Sequence, residues 1–136
     1  MTTIATGPSR KRILCVDNDE DTREMMDALL GEYGYEAVIA ASVSDALERA
    51  RFGGLALCIL DYWLKEGNGV ELCRQIRTLD AQTPIMFYSG AGYEADIQEG
   101  LDAGAQAYLV KPDFDNLKPT IDRLIDDAGF THSVMM

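Results

Sequence analysis

Carboxylates are concentrated just after the first apolar run of the chain. The segment ILCVDNDEDTRE, residues 13–24, holds five acidic side chains and one amide, Asn18. Carboxylates this close repel one another unless a cation lies among them. Oxygen-rich clusters of this kind suit hard cations such as Mg²⁺. The segment therefore suggests a cation site, although the acidic first turn of a helix, capped by Asn18 or Asp19, produces the same pattern.

Short apolar runs alternate with amphipathic segments, and this alternation predicts the fold. Apolar strands that alternate with helices are typical of a parallel sheet covered on both faces. We therefore predict an α/β fold of five strand–helix repeats, a doubly wound three-layer sandwich. The predicted strands are 12–17, 35–41, 55–60, 85–89 and 107–110, and the predicted helices are 19–33, 42–52, 69–78, 93–103 and 116–127.

Polar side chains lie at the carboxyl ends of four of the five predicted strands. The first ends at Asp17 and Asn18, the third at Asp61, the fourth at Ser89 and the fifth at Lys111, whereas the second ends in alanines. In an open parallel sheet these ends form the ligand-binding edge. The sequence therefore predicts that two carboxylates, an amide, a hydroxyl and an ammonium group converge there.

This set of groups suits phosphoryl transfer to a carboxylate. A carboxylate nucleophile that attacks a phosphoryl group brings negative charges together. A divalent cation on oxygen ligands and a lysine both relieve that repulsion. A hydroxyl group can donate a hydrogen bond to a phosphoryl oxygen.

Four motifs make the chain resemble the receiver domain of two-component response regulators, of the stand-alone single-domain type. The motifs are ILCVDND, CILDYWLKEGNG, PIMFYSGAG and AYLVKP, and the resemblance extends over residues 11–127. It implies a flavodoxin-like (βα)5 fold with the parallel sheet order 2-1-3-4-5. It also implies a protein that takes a phosphoryl group from a phosphohistidine, switches its helix 4/strand 5/helix 5 face, and is not a turnover enzyme.

The resemblance implies a role for each matching residue. Asp61 is the expected phosphoacceptor, Ser89 and Lys111 are expected to stabilise the phosphoryl group, and Ser89 with Tyr108 is expected to switch. The Lys111–Pro112 peptide bond is expected to be cis. The expected cofactor is Mg²⁺, and its expected ligands are Asp17, Asn18, Asp61 and the backbone carbonyl of Trp63.

Two positions depart from the family pattern. Asn18 stands where the family usually has a second acid, so we expect weaker Mg²⁺ binding than a diacid site gives. Lys65 stands where the family usually has proline, which predicts a freer loop after Asp61.

In the fourth predicted helix, Gly100 should weaken the helix by about 1 kcal/mol relative to alanine.

Composition limits which partners and which cellular compartment we expect. A net charge of −11 opposes binding to nucleic acid or to anionic membranes. We expect the partners to be a sensor histidine kinase or histidine phosphotransfer protein and a downstream effector protein. Three cysteines without metal-ligand spacing, and no signal peptide, predict a cytoplasmic domain. The expected organisation is a disordered tail at 1–10, the receiver domain at 11–127 and a C-terminal tail at 128–136.

Two other functions remain open at this stage. The segment VDNDEDT nearly matches the motif of haloacid-dehalogenase-like phosphatases, with Asp17 as nucleophile and Asp19 as general acid. However, Asp21 stands where that motif has threonine or valine. Alternatively, Asn18 impairs phosphorylation, and the receiver acts as a constitutive binding module.

Overall fold

The computed structural model describes residues 10–135, and it describes side chains as far as Gly129. Five strands form one parallel sheet in the order β2-β1-β3-β6-β7. Counted within this sheet alone, the order is 2-1-3-4-5, which confirms the predicted fold. The elements are β1 (Arg12–Val16), α1 (Glu20–Glu32), β2 (Glu36–Ala40), α2 (Val43–Arg51), β3 (Leu55–Leu60), β4 (Trp63–Leu64), β5 (Gly67–Asn68), α3 (Gly69–Leu79), β6 (Ile85–Ser89), α4 (Glu94–Asp102), β7 (Ala107–Val110) and α5 (Phe114–Met135).

The sheet separates two hydrophobic cores. Successive side chains of a strand point to opposite faces, and β1 shows the consequence. Leu14 and Val16 join the core that α2 and α3 cover, whereas Ile13 and Cys15 join the core under α1 and α5. Because both faces are buried, β1 is apolar from Ile13 to Val16, and the next polar residue, Asp17, comes directly after the strand ends.

A small hairpin between β3 and α3 was not predicted. Strands β4 and β5 pair antiparallel, with Trp63 opposite Asn68 and Leu64 opposite Gly67. Each strand has only two residues, too few to show an alternating pattern, so the sequence predicted only a loop there. This hairpin fixes the chain just after the expected phosphoacceptor.

The acidic run after β1 is mostly the beginning of α1. Asp19 is the N-cap, and its side chain accepts a hydrogen bond from the Thr22 backbone nitrogen at 2.9 Å. Glu20 and Asp21 lie in the first turn, where the helix dipole stabilises negative charge. Of the acidic side chains in this run, Asp17 is the one that is buried.

The last helix is longer than predicted at both ends. It runs from Phe114 to Met135, so the predicted end at residue 127 is wrong, and residues 128–135 of the predicted C-terminal tail are helical. The prediction rested on apolar spacing, which Asp126 and Asp127 interrupt after Ile125, so it marked only the part of the helix that packs on the core. Because the helix begins early, Pro119 lies inside it rather than in its first turn.

Two further expectations concern membranes and the N-terminus. Within residues 10–135, no helix is both long enough and apolar enough to cross a bilayer. The predicted disordered tail, apart from Arg10, lies outside the described residues.

Candidate functional site

The carboxyl edge of the sheet gathers the polar residues that the sequence singled out. Asp17 follows β1, Asp61 follows β3, Ser89 ends β6 and Lys111 follows β7. Of the three buried polar side chains in the described part of the chain, two, Asp17 and Ser89, are in this group. Burying polar groups without partners is costly, so their contacts define the site.

Lys111 bridges the two carboxylates. Its ammonium nitrogen lies 2.7 Å from Asp17 Oδ2 and 3.6 Å from Asp61 Oδ2. Burial acts to lower the pKa of Lys111, but the hydrogen bond to Asp17 and the charges of both aspartates outweigh burial and raise it. Lys111 is therefore a fixed positive charge between two negative ones. The Lys111–Pro112 peptide bond is cis.

Asp61 is a carboxylate whose charge is only partly compensated. Burial is the largest cause of its raised pKa, and the nearby charge of Asp17 adds to the increase. The Ser89 hydroxyl and Lys111 oppose the increase, as does the Tyr62 backbone N–H, which donates to Asp61 Oδ1 at 2.9 Å. A partly buried carboxylate with a raised pKa beside a charged partner is a candidate for a reacting group.

Asp17 is held by two contacts of different kinds. Its Oδ2 accepts from Lys111, and its Oδ1 accepts from the Asp19 backbone N–H at 2.9 Å. The Arg23 guanidinium also donates to the Asp17 carbonyl oxygen at 2.9 Å. Asp17 is therefore oriented by its surroundings, while Asn18 beside it is exposed.

Ser89 and Tyr108 are connected through Ala91. The Ser89 hydroxyl oxygen accepts from the backbone nitrogens of Tyr62 and Ala91, each at 3.2 Å. The Tyr108 hydroxyl donates to the Ala91 carbonyl oxygen at 2.6 Å. A movement of Ser89 that releases the Ala91 N–H would therefore disturb the acceptor of Tyr108.

Gly100 gives the Tyr108 ring its space. The ring stacks on Phe87 with centroids 5.1 Å apart and planes at 13°. A Cβ on Gly100 would lie 2.9 Å from Tyr108 Cδ2 and 3.0 Å from Phe87 Cε1. The glycine that the sequence indicated as a weak point of a helix is therefore a site of close packing.

Two residues near Asp61, Gly69 and Tyr62, make close contacts that the sequence analysis missed. A Cβ on Gly69 would clash with the Asp61 carbonyl oxygen, and the Gly69 N–H donates to the Tyr62 carbonyl at 2.7 Å. The Tyr62 hydroxyl donates to Glu99 Oε1 at 2.6 Å, and this bond is the largest cause that raises the pKa of Tyr62 to about 12. The only sequence signal was the position of Gly69 at the start of a helix.

The residues expected to bind Mg²⁺ offer oxygen donors but few negative charges. We expect Asp17 and Asp61 to supply carboxylate oxygens, Asn18 an amide oxygen and the Trp63 backbone a carbonyl oxygen, which are ligands that suit a hard divalent cation. Among residues 10–135 no group of three or more His, Cys, Asp or Glu side chains is arranged to hold a metal ion. The Trp63 side chain is 63% exposed and contacts the Tyr62 ring.

Sequence comparisons find the same family along most of the chain. A family model described as the response regulator receiver domain matches residues 13–122. The transcriptional regulatory protein ZraR of Escherichia coli K12 is 32% identical over 123 residues, 90% of this chain and 27% of that protein. The nisin biosynthesis regulatory protein NisR of Lactococcus lactis is 35% identical over 101 residues, 74% and 44% respectively. The chain thus spans less than half the length of these relatives.

Structural comparisons find the same fold over most of the chain. A CheY-like receiver domain from Methanospirillum hungatei JF-1 superposes with a TM-score of 0.86 at 28% identity, covering 90% of this chain and 99% of that one. The chemotaxis protein CheY4 of Vibrio cholerae gives 0.79 at 28% identity, covering 85% and 99%. With the family model matching most of the chain, the conclusion is that this chain belongs to the receiver domain family of two-component response regulators.

Proposed function

We propose that the chain accepts a phosphoryl group from a phosphohistidine onto Asp61 and switches a protein-binding face in response. The observation that carries the proposal is the position of Lys111 between Asp17 and Asp61. A cation held there supports a carboxylate that must react with an anionic phosphoryl group.

In the proposed reaction, an Asp61 carboxylate oxygen attacks phosphorus in line with the leaving imidazole. A P–O bond to Asp61 forms, the P–N bond breaks, and its electron pair returns to the imidazole of the donor. A bound Mg²⁺, held by Asp17, Asn18, Asp61 and the Trp63 carbonyl, would supply Lewis-acid stabilisation of the charge on the phosphoryl oxygens. Lys111 compensates the remaining charge.

We propose that Ser89 and Tyr108 couple phosphorylation of Asp61 to a conformational change at the protein-binding face. A phosphoryl oxygen on Asp61 offers the Ser89 hydroxyl a stronger, charged acceptor. Movement of Ser89 toward it releases the Ala91 N–H, and the Tyr108–Ala91 bond then rearranges. The proposed readout face is α4, β7 and α5, where Tyr93, Val110 and Phe114 are exposed to solvent at 81%, 37% and 51%.

The proposed partners are proteins. The phosphoryl donor is a sensor histidine kinase or a histidine phosphotransfer protein, and the recipient of the signal is a downstream effector. The net charge of −11 argues against direct binding of this domain to nucleic acid or to anionic membranes. Three free, buried cysteines suit a reducing cytoplasm. The domain is proposed to be phosphorylated and dephosphorylated rather than to turn over a substrate.

The hydrogen bonds of Asp17 and Asp19 disfavour the phosphatase alternative. Asp17, its nucleophile, is buried and engages Lys111 and the Asp19 backbone through its two oxygens. Asp19, its general acid, accepts hydrogen bonds from the Thr22 backbone and hydroxyl, which lower the pKa of Asp19. A carboxylate held ionised in this way is a poor proton donor.

Titration with beryllofluoride, a phosphoryl mimic, tests the proposed switch by NMR. In the presence of Mg²⁺ we expect chemical-shift changes at Ser89, Ala91 and Tyr108, and then along α4, β7 and α5. Asp61→Asn should abolish them. Changes confined to the vicinity of Asp61 would contradict the proposed readout face, and no change at all would contradict the proposed reaction centre.

A further inference from the structure

The hairpin after Asp61 turns through one unusual residue. Glu66 has a φ of 69° and is the one non-glycine residue with positive φ in the part of the chain that the structure describes. L-residues other than glycine adopt this conformation at an energetic cost. The next residue, Gly67, also has a positive φ, 138°, so two consecutive residues adopt this conformation and only the second is glycine. The side chain at position 66 therefore requires an explanation.

The Glu66 side chain reaches the beginning of α2. Its Oε1 accepts from the Ser44 backbone nitrogen at 3.2 Å and from the Ser44 hydroxyl at 2.8 Å. Backbone N–H groups in the first turn of a helix have no partner within the helix, and the dipole there favours a negative charge. These two bonds lower the pKa of Glu66, so the carboxylate is well suited to this position.

The backbone beside Glu66 is attached to the same helix. The Val43 N–H donates to the Lys65 carbonyl at 3.4 Å, and Ser42 and Lys65 form an isolated parallel bridge. At the base of the hairpin, the Gly69 N–H donates to the Tyr62 carbonyl at 2.7 Å. The hairpin is thus fixed at its base near Asp61 and at its tip on α2, and Trp63 lies between.

We propose that Glu66 is a positioning residue for the reaction centre. Its contact with Ser44, together with the Lys65 bridge, holds the hairpin so that the Trp63 peptide group stays in place beside Asp61. In this chain the contact does what a rigid proline would do at position 65, where lysine stands. The inference rests on the proposed function and assigns it a residue to which the resemblance gave no role.

Mg²⁺ affinity of the purified chain tests the inference without measuring phosphorylation. Trp63 is the single tryptophan of the chain, so its fluorescence reports on the hairpin. Glu66→Gly removes the side chain and also relieves the positive φ, and it should weaken Mg²⁺ binding by about tenfold, as loss of outer-shell support does at metal sites. Ser44→Ala keeps the backbone donor and should give a smaller loss. Glu48→Ala removes an exposed charge from the same helix and should match wild type.

A second readout needs no metal. In the metal-free protein, the amides of Leu64 and Gly67 should exchange with solvent at least several-fold faster in Glu66→Gly than in Glu48→Ala, because an unclamped hairpin opens locally. Wild-type Mg²⁺ affinity together with wild-type exchange in Glu66→Gly would overturn the positioning role alone. A wild-type chain that does not bind Mg²⁺ would overturn the proposed function as well, since no metal site would remain to be positioned.

Discussion

The Lys111 ammonium donates a hydrogen bond to Asp17 Oδ2 at 2.7 Å, although 94 residues separate the two in sequence. The same ammonium lies 3.6 Å from Asp61. The strands of a parallel sheet all end at one edge, so residues that follow β1, β3 and β7 lie at the same edge. This relationship fixes the electrostatics of the site, and several predictions depend on it.

Asn18 is expected to limit Mg²⁺ affinity. Asn18→Asp adds a carboxylate beside Asp17 and should tighten Mg²⁺ binding by about tenfold, because ligand charge sets affinity at oxygen sites. Asn18→Ala should not tighten it. Gln75→Glu on α3 adds the same charge elsewhere and serves as the control in titrations followed by Trp63 fluorescence. Tighter Mg²⁺ binding in Asn18→Ala would contradict the assignment of Asn18 as a metal ligand. Unchanged Mg²⁺ affinity in Asn18→Asp would contradict it as well.

The charge on Asp61 should reduce the stability of the fold. Its folded pKa is raised above the ordinary value of 3.8, mainly by burial. The folded state therefore binds this proton more tightly than the unfolded state, and stability is lost as pH rises through the raised pKa. Asp61→Asn removes this partly buried charge and should raise the free energy of unfolding at pH 7 by about 1 kcal/mol. A gain of this size is typical when a destabilising functional residue is replaced.

The pH dependence supplies the check on that prediction. Urea denaturation of both proteins should show the stability difference at neutral pH, and it should shrink as pH falls below the raised pKa of Asp61. A variant no more stable than wild type at pH 7 would argue that Lys111 already compensates the Asp61 charge in full.

Replacing Gly100 and Gly31 with alanine should change the stability of the protein in opposite directions. Gly100→Ala places a methyl group against Tyr108 and Phe87 and should destabilise the protein by about 1–3 kcal/mol, as overpacking does. Gly31→Ala, in α1 with nothing within 4 Å of the new Cβ, should stabilise it by up to about 1 kcal/mol. Chemical denaturation measures both free energies. Equal stabilisation of the two variants would mean that α4 shifts freely to admit the methyl group.

The hydrogen bond between Tyr62 and Glu99 should restrain α4 by connecting it to the segment that follows Asp61. Glu99→Gln removes the carboxylate that raises the pKa of Tyr62 to about 12, so a spectrophotometric titration should show this tyrosine ionising closer to the ordinary value of 10.0. Tyr62→Phe should speed amide exchange in α4. Tyr93→Phe, an exposed tyrosine at the N-cap of α4, is the control. Unchanged exchange in Tyr62→Phe would show that the bond does not restrain the helix.

The features that follow from continuous apolar runs could be predicted from the sequence. The five sheet strands and the gathering of Asp17, Asp61, Ser89 and Lys111 depend only on where apolar runs stop. Features that depend on close approach could not be predicted. Gly100 was interpreted through helix propensity alone, because the rings that require its small size come from β6 and β7.

Short and non-apolar structure also escaped the sequence analysis. The β4–β5 hairpin has strands of two residues, and its contact from Glu66 to Ser44 joins residues 22 positions apart through polar atoms. The predicted end of α5 at residue 127 rested on apolar spacing, which Asp126 and Asp127 interrupt, although the helix continues to Met135. The hairpin and the contact from Glu66 to Ser44 depend on polar and local interactions, which hydrophobic periodicity does not predict.

Mapping the phosphorylated residue tests the central claim most directly. The chain is incubated with acetyl phosphate and Mg²⁺, and the modified residue is located by mass spectrometry beside Asp61→Asn. The account predicts phosphate on Asp61 in wild type and none in the variant. Phosphate on Asp17 would favour the phosphatase alternative, and an unmodified wild type would favour a constitutive binding module; either result would contradict the account.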